Sequence, residues 1–200
     1  MTEASAPTTW VVVPIPEADP LVRAAWRRFS PEAPFGTMPE HIVVAHVTVA
    51  GPFLPPDRVD LDVVSEIREY CARRSAFRFT LGSTATFSTG VVYLVPEPAA
   101  PFLELMRWFA DRWPEAPLYG GAYPALPHVS LAVEQRTAEQ VAGVVSVVQP
   151  ALPLNAVARE LRLVLTEQRM WYPLHSFPFG LKSSTGVADV VGTHTTIGGQ

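Results

Sequence analysis

The chain has 200 residues, enough for one sizeable domain or two closely joined lobes. Hydrophobic residues make up 48% of it and charged residues 17%, a balance that supports a packed core and excludes a disordered chain. A net charge of -4 excludes a global basic field for holding long nucleic acid.

The positive charge is almost all arginine, with Lys182 the only lysine. A GC-rich genome produces that bias as readily as a need for bidentate phosphate contacts. A single cysteine, Cys71, leaves no disulfide within the chain and no cysteine cluster for zinc. It falls in a predicted helix and reads as a small buried apolar residue. No apolar run reaches the length of a membrane span. Residues 1–9 lack the basic end and apolar stretch of a secretory signal, so a cytoplasmic location without membrane contact is expected.

In chain order, Val11–Glu17 is a β-branched run closed by Pro-Glu and is predicted as a strand. Pro20–Phe29 follows, with Leu21, Ala24, Ala25 and Phe29 at helical spacing and proline in the first turn. Ile42–Ala50 is a second strand, Asp60–Arg74 a second helix and Phe77–Leu81 an alternating strand. The same order then recurs. Val91–Glu97 is again a strand closed by Pro-Glu, and Pro101–Trp113 a helix with Phe102, Leu105, Met106 and Phe109 on one face. His128–Val133 is a strand, Thr137–Val148 a helix and Leu161–Leu165 an alternating strand. Trp171–Leu174 echoes the strand Val92–Leu94. Trp26 precedes His46 by 20 residues and Trp108 precedes His128 by 20, which reads as a pair of equivalent core anchors. This recurrence indicates internal duplication rather than coincidence among common strand patterns.

The expectation is therefore an α+β protein, internally duplicated and bilobal, whose antiparallel sheets line a central cleft with helices on the outer faces. A single domain is placed at 9–182, with pseudo-repeats at about 9–90 and 91–182. The polar, Gly/Thr-rich stretch 183–200 reads as a flexible tail carrying His194.

Two short motifs occupy equivalent places in the repeats, His46-Val47-Thr48 and His128-Val129-Ser130. Alternate residues of a strand share a face. His46 and Thr48 therefore point one way while Val47 and Val49 anchor the strand in the core, and the second copy behaves alike. Two imidazoles and two hydroxyls make up a set for opening a phosphodiester. A neutral histidine takes a proton from water or a ribose hydroxyl, and a protonated one gives a proton to the departing oxygen. The hydroxyls of Thr48 and Ser130 donate to the non-bridging oxygens as charge builds there.

With the apolar residue after each, the motifs read His46-Val47-Thr48-Val49 and His128-Val129-Ser130-Leu131. In this form the chain resembles the two-histidine phosphoesterase superfamily of 2'-5' RNA ligase-like proteins and RNA 2',3'-cyclic phosphodiesterases. The resemblance runs from about Trp10 to Leu181 and takes in Gly51-Pro52-Phe53, Pro127 and the Tyr172–Phe179 ending. It implies metal-independent chemistry with His46, His128, Thr48 and Ser130 lining the cleft, no cofactor, and a cyclic phosphate or 2'-5' linked oligonucleotide as substrate. Many RNA-acting relatives carry a basic residue shortly after the second motif. This chain has Val133-Glu134 there, which favours a small nucleotide or an RNA end over a folded RNA body. Ligation is the reverse reaction of the same site, and a nucleotide-binding module without turnover would use the same groups.

Phe53, Tyr123 and Tyr172 are candidates for stacking on a base, with core or rim packing an equally good reading of each. Arg169, in the loop 167–170, is a candidate phosphate contact, against the commoner reading of a solvated arginine. His41 and His175 have no partner motif, and no His/Cys/Asp grouping has zinc spacing. A monomer is expected.

Overall fold

The computed structural model describes residues 6–167 and 170–180. Among the described residues, eight strands form two four-stranded sheets, and every neighbouring pair is antiparallel. The first sheet contains β1 (Thr8–Pro14), β2 (His46–Ala50), β7 (Glu160–Glu167) and β8 (Met170–Pro178), in the order β2-β1-β7-β8. The second contains β3 (Phe77–Thr86), β4 (Val92–Glu97), β5 (Val129–Ala132) and β6 (Leu154–Ala158), in the order β5-β4-β3-β6. Four α-helices accompany them among the described residues: α1 (Asp19–Phe29), α2 (Leu61–Ala72), α3 (Ala100–Arg112) and α4 (Ala138–Val148). None of these helices is long and apolar enough to cross a membrane.

The duplication is visible in the sheet orders. Matching β1 to β4, β2 to β5 and β7 to β3 superposes β2-β1-β7 on β5-β4-β3. The halves exchange these elements rather than fold side by side. β7 pairs with β1 from the other half, and β3 pairs with β4. The helices are exchanged too: α1 packs on β5, and α3 packs on β2. Each motif strand is thus backed by a helix from the opposite half, so the two motifs are fixed relative to one another by a shared core. Residues 9–90 and 91–182 divide the sequence pattern, whereas each sheet draws strands from both sides of that division.

Local rules explain most boundaries. Asp60 caps α2 by accepting from the Asp62 and Val63 amides at 3.0 and 2.9 Å. Thr137 and Gln140 close a capping box at the start of α4. Proline sits in the first turn of α1 and α3, where a missing N–H costs nothing. β2 starts at His46 rather than at Ile42, because the amides of Val44 and Ala45 go to the Asp19 carboxylate instead of to a neighbouring strand, at 2.6 and 2.9 Å. β6 carries no strand signal of its own. Its Leu-Asn-Ala-Val-Ala sequence is a weak strand former that is extended through pairing with β3.

The core follows the strand alternation. Val11 and Val13 on β1, Val47 and Val49 on β2, Val129 and Leu131 on β5, and Leu161 and Leu163 on β7 are all buried. Cys71 is buried on α2, and burial pushes its thiol up to about 12, which keeps it protonated and unreactive. Trp108 stacks flat on Tyr70 with ring centroids 3.7 Å apart. Trp26 has a different environment, described below.

Gly51, just after β2, is required by close approach: a Cβ there would stand 2.0 Å from Cε3 of Trp10. Gly51→Ala is expected to lower stability by about 1–3 kcal/mol through overpacking, read as a reduced urea midpoint at unchanged slope. An unaltered midpoint would contradict this packing.

Candidate active site

The two motif strands end at a common cleft. His46 and Thr48 lie opposite Pro14 and Val12 on β1, and Ser130 lies opposite Tyr93 on β4. The two histidine rings share one backbone contact. Nδ1 of His46 is 2.6 Å from the Val44 carbonyl, and Nδ1 of His128 is 2.7 Å from the Leu126 carbonyl. A carbonyl oxygen only accepts, so Nδ1 carries a hydrogen in both rings, and in the neutral ring Nε2 keeps its lone pair. Each ring is therefore held in one tautomer by the backbone two residues before it.

Two cavities open on this arrangement and meet at Ser130 and Val133, which line both. The smaller, about 260 Å³, contains His46, Thr48 and the rings of Trp10, Trp26, Phe35 and Trp171. The larger, about 490 Å³, contains His128 with Phe87, Tyr119, Tyr123 and Leu126. Trp171 lies against His46 with ring centroids 4.5 Å apart, and Phe87 meets His128 edge-on at 5.0 Å.

These walls set the protonation states. Burial pushes the His46 imidazole down to about 4, with the charge of His128 acting in the same sense, while the Val44 carbonyl and the Asp19 carboxylate pull it up. Burial also lowers His128, opposed by its bond to the Leu126 carbonyl. Both imidazoles are thus biased towards the neutral form, and a positive charge on His128 further disfavours one on His46.

Over residues 16–169 the sequence matches the family model of the 2'-5' RNA ligase superfamily. The chain belongs to that superfamily. No curated protein matches it by sequence. Similar solved structures include TT0787 of Thermus thermophilus, with a TM-score of 0.55 and 18% identity over 86% of this chain and 98% of that one. E. coli LigT complexed with 3'-AMP gives a TM-score of 0.54 and 15% identity over 87% and 98% of the two chains. LigT complexed with ATP gives 0.53 and 18% over 88% and 99%. At these identities the likeness concerns the fold.

Within this superfamily fold, the supports of the two histidines differ. Asp19, at the start of α1, bonds the Val44 and Ala45 amides and pairs with Arg23 at 2.6 Å. Arg23 is buried and donates to the carbonyls of Met38 at 2.6 Å, Pro39 at 3.1 Å and Ile42. This network ties down the segment carrying the Val44 carbonyl, and hence the His46 ring. In the second half Ala100 stands where Asp19 would be, before Pro101, and the Leu126 carbonyl belongs to an exposed stretch. The motifs alone did not reveal Asp19 and Arg23. Their only trace in the sequence is an acid–arginine pair four apart on the first helix.

Tyr119 was also missed. Its backbone is left-handed at φ 52°, a strained conformation for a tyrosine, and its N–H donates to the Gly51 carbonyl at 2.6 Å. Its phenol, raised by burial, shares a hydrogen bond with the Thr48 hydroxyl, and its ring lies 6.2 Å from that of His128. Tyr119 thus touches both motifs; the signal for it was the turn sequence Tyr119-Gly120-Gly121. Trp26 is more than a core anchor. Only 4% exposed, it lines the His46 cavity and donates from Nε1 to the Ser130 carbonyl at 3.1 Å.

The expected stacking residues separate. Tyr123 lies on the rim of the His128 cavity at 59% exposure. Phe53 does not reach the cleft: it is 6% exposed and packs edge-on against Phe109 and Trp113, at 5.6 and 5.1 Å, as part of the core. Tyr172 is 46% exposed and opposes Leu165, whereas its neighbour Trp171 opposes Thr166 and faces the cleft. The expectation for Tyr172 was one residue out of step, which in a strand means the opposite face. Arg169 and the tail at 183–200, with His194, lie outside the described residues. His41 and His175 are exposed and line neither cavity. Among the described residues, no group of three or more His, Cys, Asp or Glu is arranged to hold a metal ion.

In a histidine-resolved NMR titration, both rings are expected in the Nδ1–H tautomer, with His46 titrating near pH 4 and His128 below 6.5. Because both folded values are depressed, the stability these groups contribute is present above the ordinary imidazole range and lost as pH falls towards about 4. A His46 midpoint at or above 6.5 would contradict this reading of the site.

Proposed function

We propose that this chain is a metal-independent cyclic phosphodiesterase. It opens a 2',3'-cyclic or related phosphate, on a small nucleotide or an RNA end, by general acid–base catalysis between His46 and His128. One observation carries the reading: two strand-borne histidines, each fixed through Nδ1, share a cleft with Thr48 and Ser130. Membership of the superfamily supports the reaction class. LigT structures holding 3'-AMP and ATP support a nucleotide-sized ligand for this fold.

In this mechanism Nε2 of neutral His46 takes a proton from water as the water oxygen bonds to phosphorus. The bond from phosphorus to one ribose oxygen breaks, and Nε2 of protonated His128 gives its proton to that oxygen. One water is consumed, and a phosphomonoester and a free hydroxyl result. His46 is the base because it is the harder of the two to protonate, which leaves His128 as the acid. Thr48 and Ser130 donate to the non-bridging oxygens. Tyr119 is a positioning residue, acting through its bond to the Thr48 hydroxyl. Aromatic walls around the cleft supply faces for a base.

Hydrolysis of adenosine 2',3'-cyclic phosphate is expected to persist in excess chelator. His46→Ala and His128→Ala are each expected to lower kcat by about 10²–10⁴-fold. Full activity in either variant, or loss of the parent's activity in chelator, would overturn the mechanism. The profile of kcat/KM against pH is expected to be bell-shaped with its maximum on the acid side of 6.5, since both free-enzyme imidazoles are depressed. A maximum in the alkaline range would contradict the protonation states.

A further inference from the structure

The feature of the cleft that the proposed chemistry leaves unexplained is its lack of charge. Among the described residues, neither cavity is lined by a lysine, arginine, aspartate or glutamate. The groups able to meet a phosphate are two imidazoles and uncharged hydroxyls, those of Thr48, Ser130 and Thr166 on the His46 side and of Ser88, Thr89 and the tyrosines on the His128 side, and the rest of the lining is aromatic or apolar. Two arginines near the cleft among the described residues are committed elsewhere. Arg23 is held by Asp19 and three backbone carbonyls. Arg162 shares the cross-strand row of Thr48 through Val12, two strands away and so about 10 Å off. Its guanidinium is held by Glu160 at 2.7 and 2.6 Å, and it lines neither cavity.

Resting on the phosphodiesterase reading above, we infer that the site selects its substrate by charge count. It takes nucleoside cyclic phosphates whose scissile phosphate is their only negative charge, with a free 5'-hydroxyl, and turns away those carrying further phosphates. One imidazolium and two hydroxyls balance one diester anion. A second phosphate drawn into the cleft would lose its hydration and find no cation, and burial of an unpaired charge is strongly unfavourable. The acid lies on the side of the larger cavity, so the leaving ribose and its base lodge among Phe87, Tyr119, Tyr123 and Leu126, where a 5'-phosphate would meet neutral hydroxyls and apolar groups but no cationic side chain among the described residues.

The test compares adenosine 2',3'-cyclic phosphate with the same molecule bearing a 5'-phosphate, by kcat/KM and by binding. Binding is read from the fluorescence of Trp10, Trp26 and Trp171, which line the His46 cavity and report occupancy without turnover. The 5'-hydroxyl form is expected to be preferred by at least about tenfold in both measurements, with kcat/KM nearly independent of salt. Equal or better use of the 5'-phosphorylated form overturns charge selection and leaves the phosphodiesterase reading intact. If neither molecule is hydrolysed, the phosphodiesterase reading fails, and the binding comparison alone decides: tighter binding of the singly charged form upholds charge selection. Equal binding, tighter binding of the 5'-phosphate form or no binding of either overturns it.

Discussion

The hydrogen bond from each histidine Nδ1 to the carbonyl two residues earlier is the constraint on which the rest of the site depends. It fixes the tautomer, holds the ring plane and leaves Nε2 as the nitrogen not bonded to the backbone. It also requires the segment before each motif strand to be stationary, because a carbonyl that wanders carries the ring with it. The exchanged architecture fixes the strands that follow those segments. α1 backs β5 and α3 backs β2, so neither histidine can shift without disturbing a core built from both halves of the chain. Rigid mounting of this kind is what general acid–base catalysis requires of its groups.

The duplicated frame would make the two histidines equivalent, and the chemistry needs them to differ. The difference comes from residues outside the motifs. Asp19 and Arg23 immobilise the approach to His46, whereas Ala100 offers no counterpart near His128. Burial among Trp26, Phe35 and Trp171 then holds His46 in its neutral form. A near-symmetric fold thus supplies two similar groups, and in the proposed mechanism local packing divides acid from base between them. Tyr119 adds a cross-link, since its strained backbone is bonded to Gly51, its phenol meets Thr48 and its ring flanks His128.

Much of this was legible in the sequence because it is local. Helical periodicity, the Asp60 and Thr137 caps and the alternation around both motifs are all set by residues within one turn or a few strand positions. What escaped was set by long-range pairing. The exchange of β3 and β7 between sheets leaves no local trace, and β6 is a strand only because β3 lies beside it. The cleft aromatics illustrate the limit. Composition alone does not tell whether Phe53, Trp171 or Tyr172 faces the site. Register puts Trp171 in the cleft, Tyr172 on the reverse face and Phe53 in the core beside Phe109 and Trp113. Tyr119, outside any periodic element, offered only a turn signal.

The central claim is that both histidines act on one phosphate. A crystal structure with inorganic phosphate bound tests it most directly. The account predicts a single phosphate whose oxygens lie within hydrogen-bonding distance of Nε2 of both His46 and His128 and of the Thr48 and Ser130 hydroxyls. A phosphate held by one histidine alone, or seated away from the junction of the two cavities at Ser130, would contradict it.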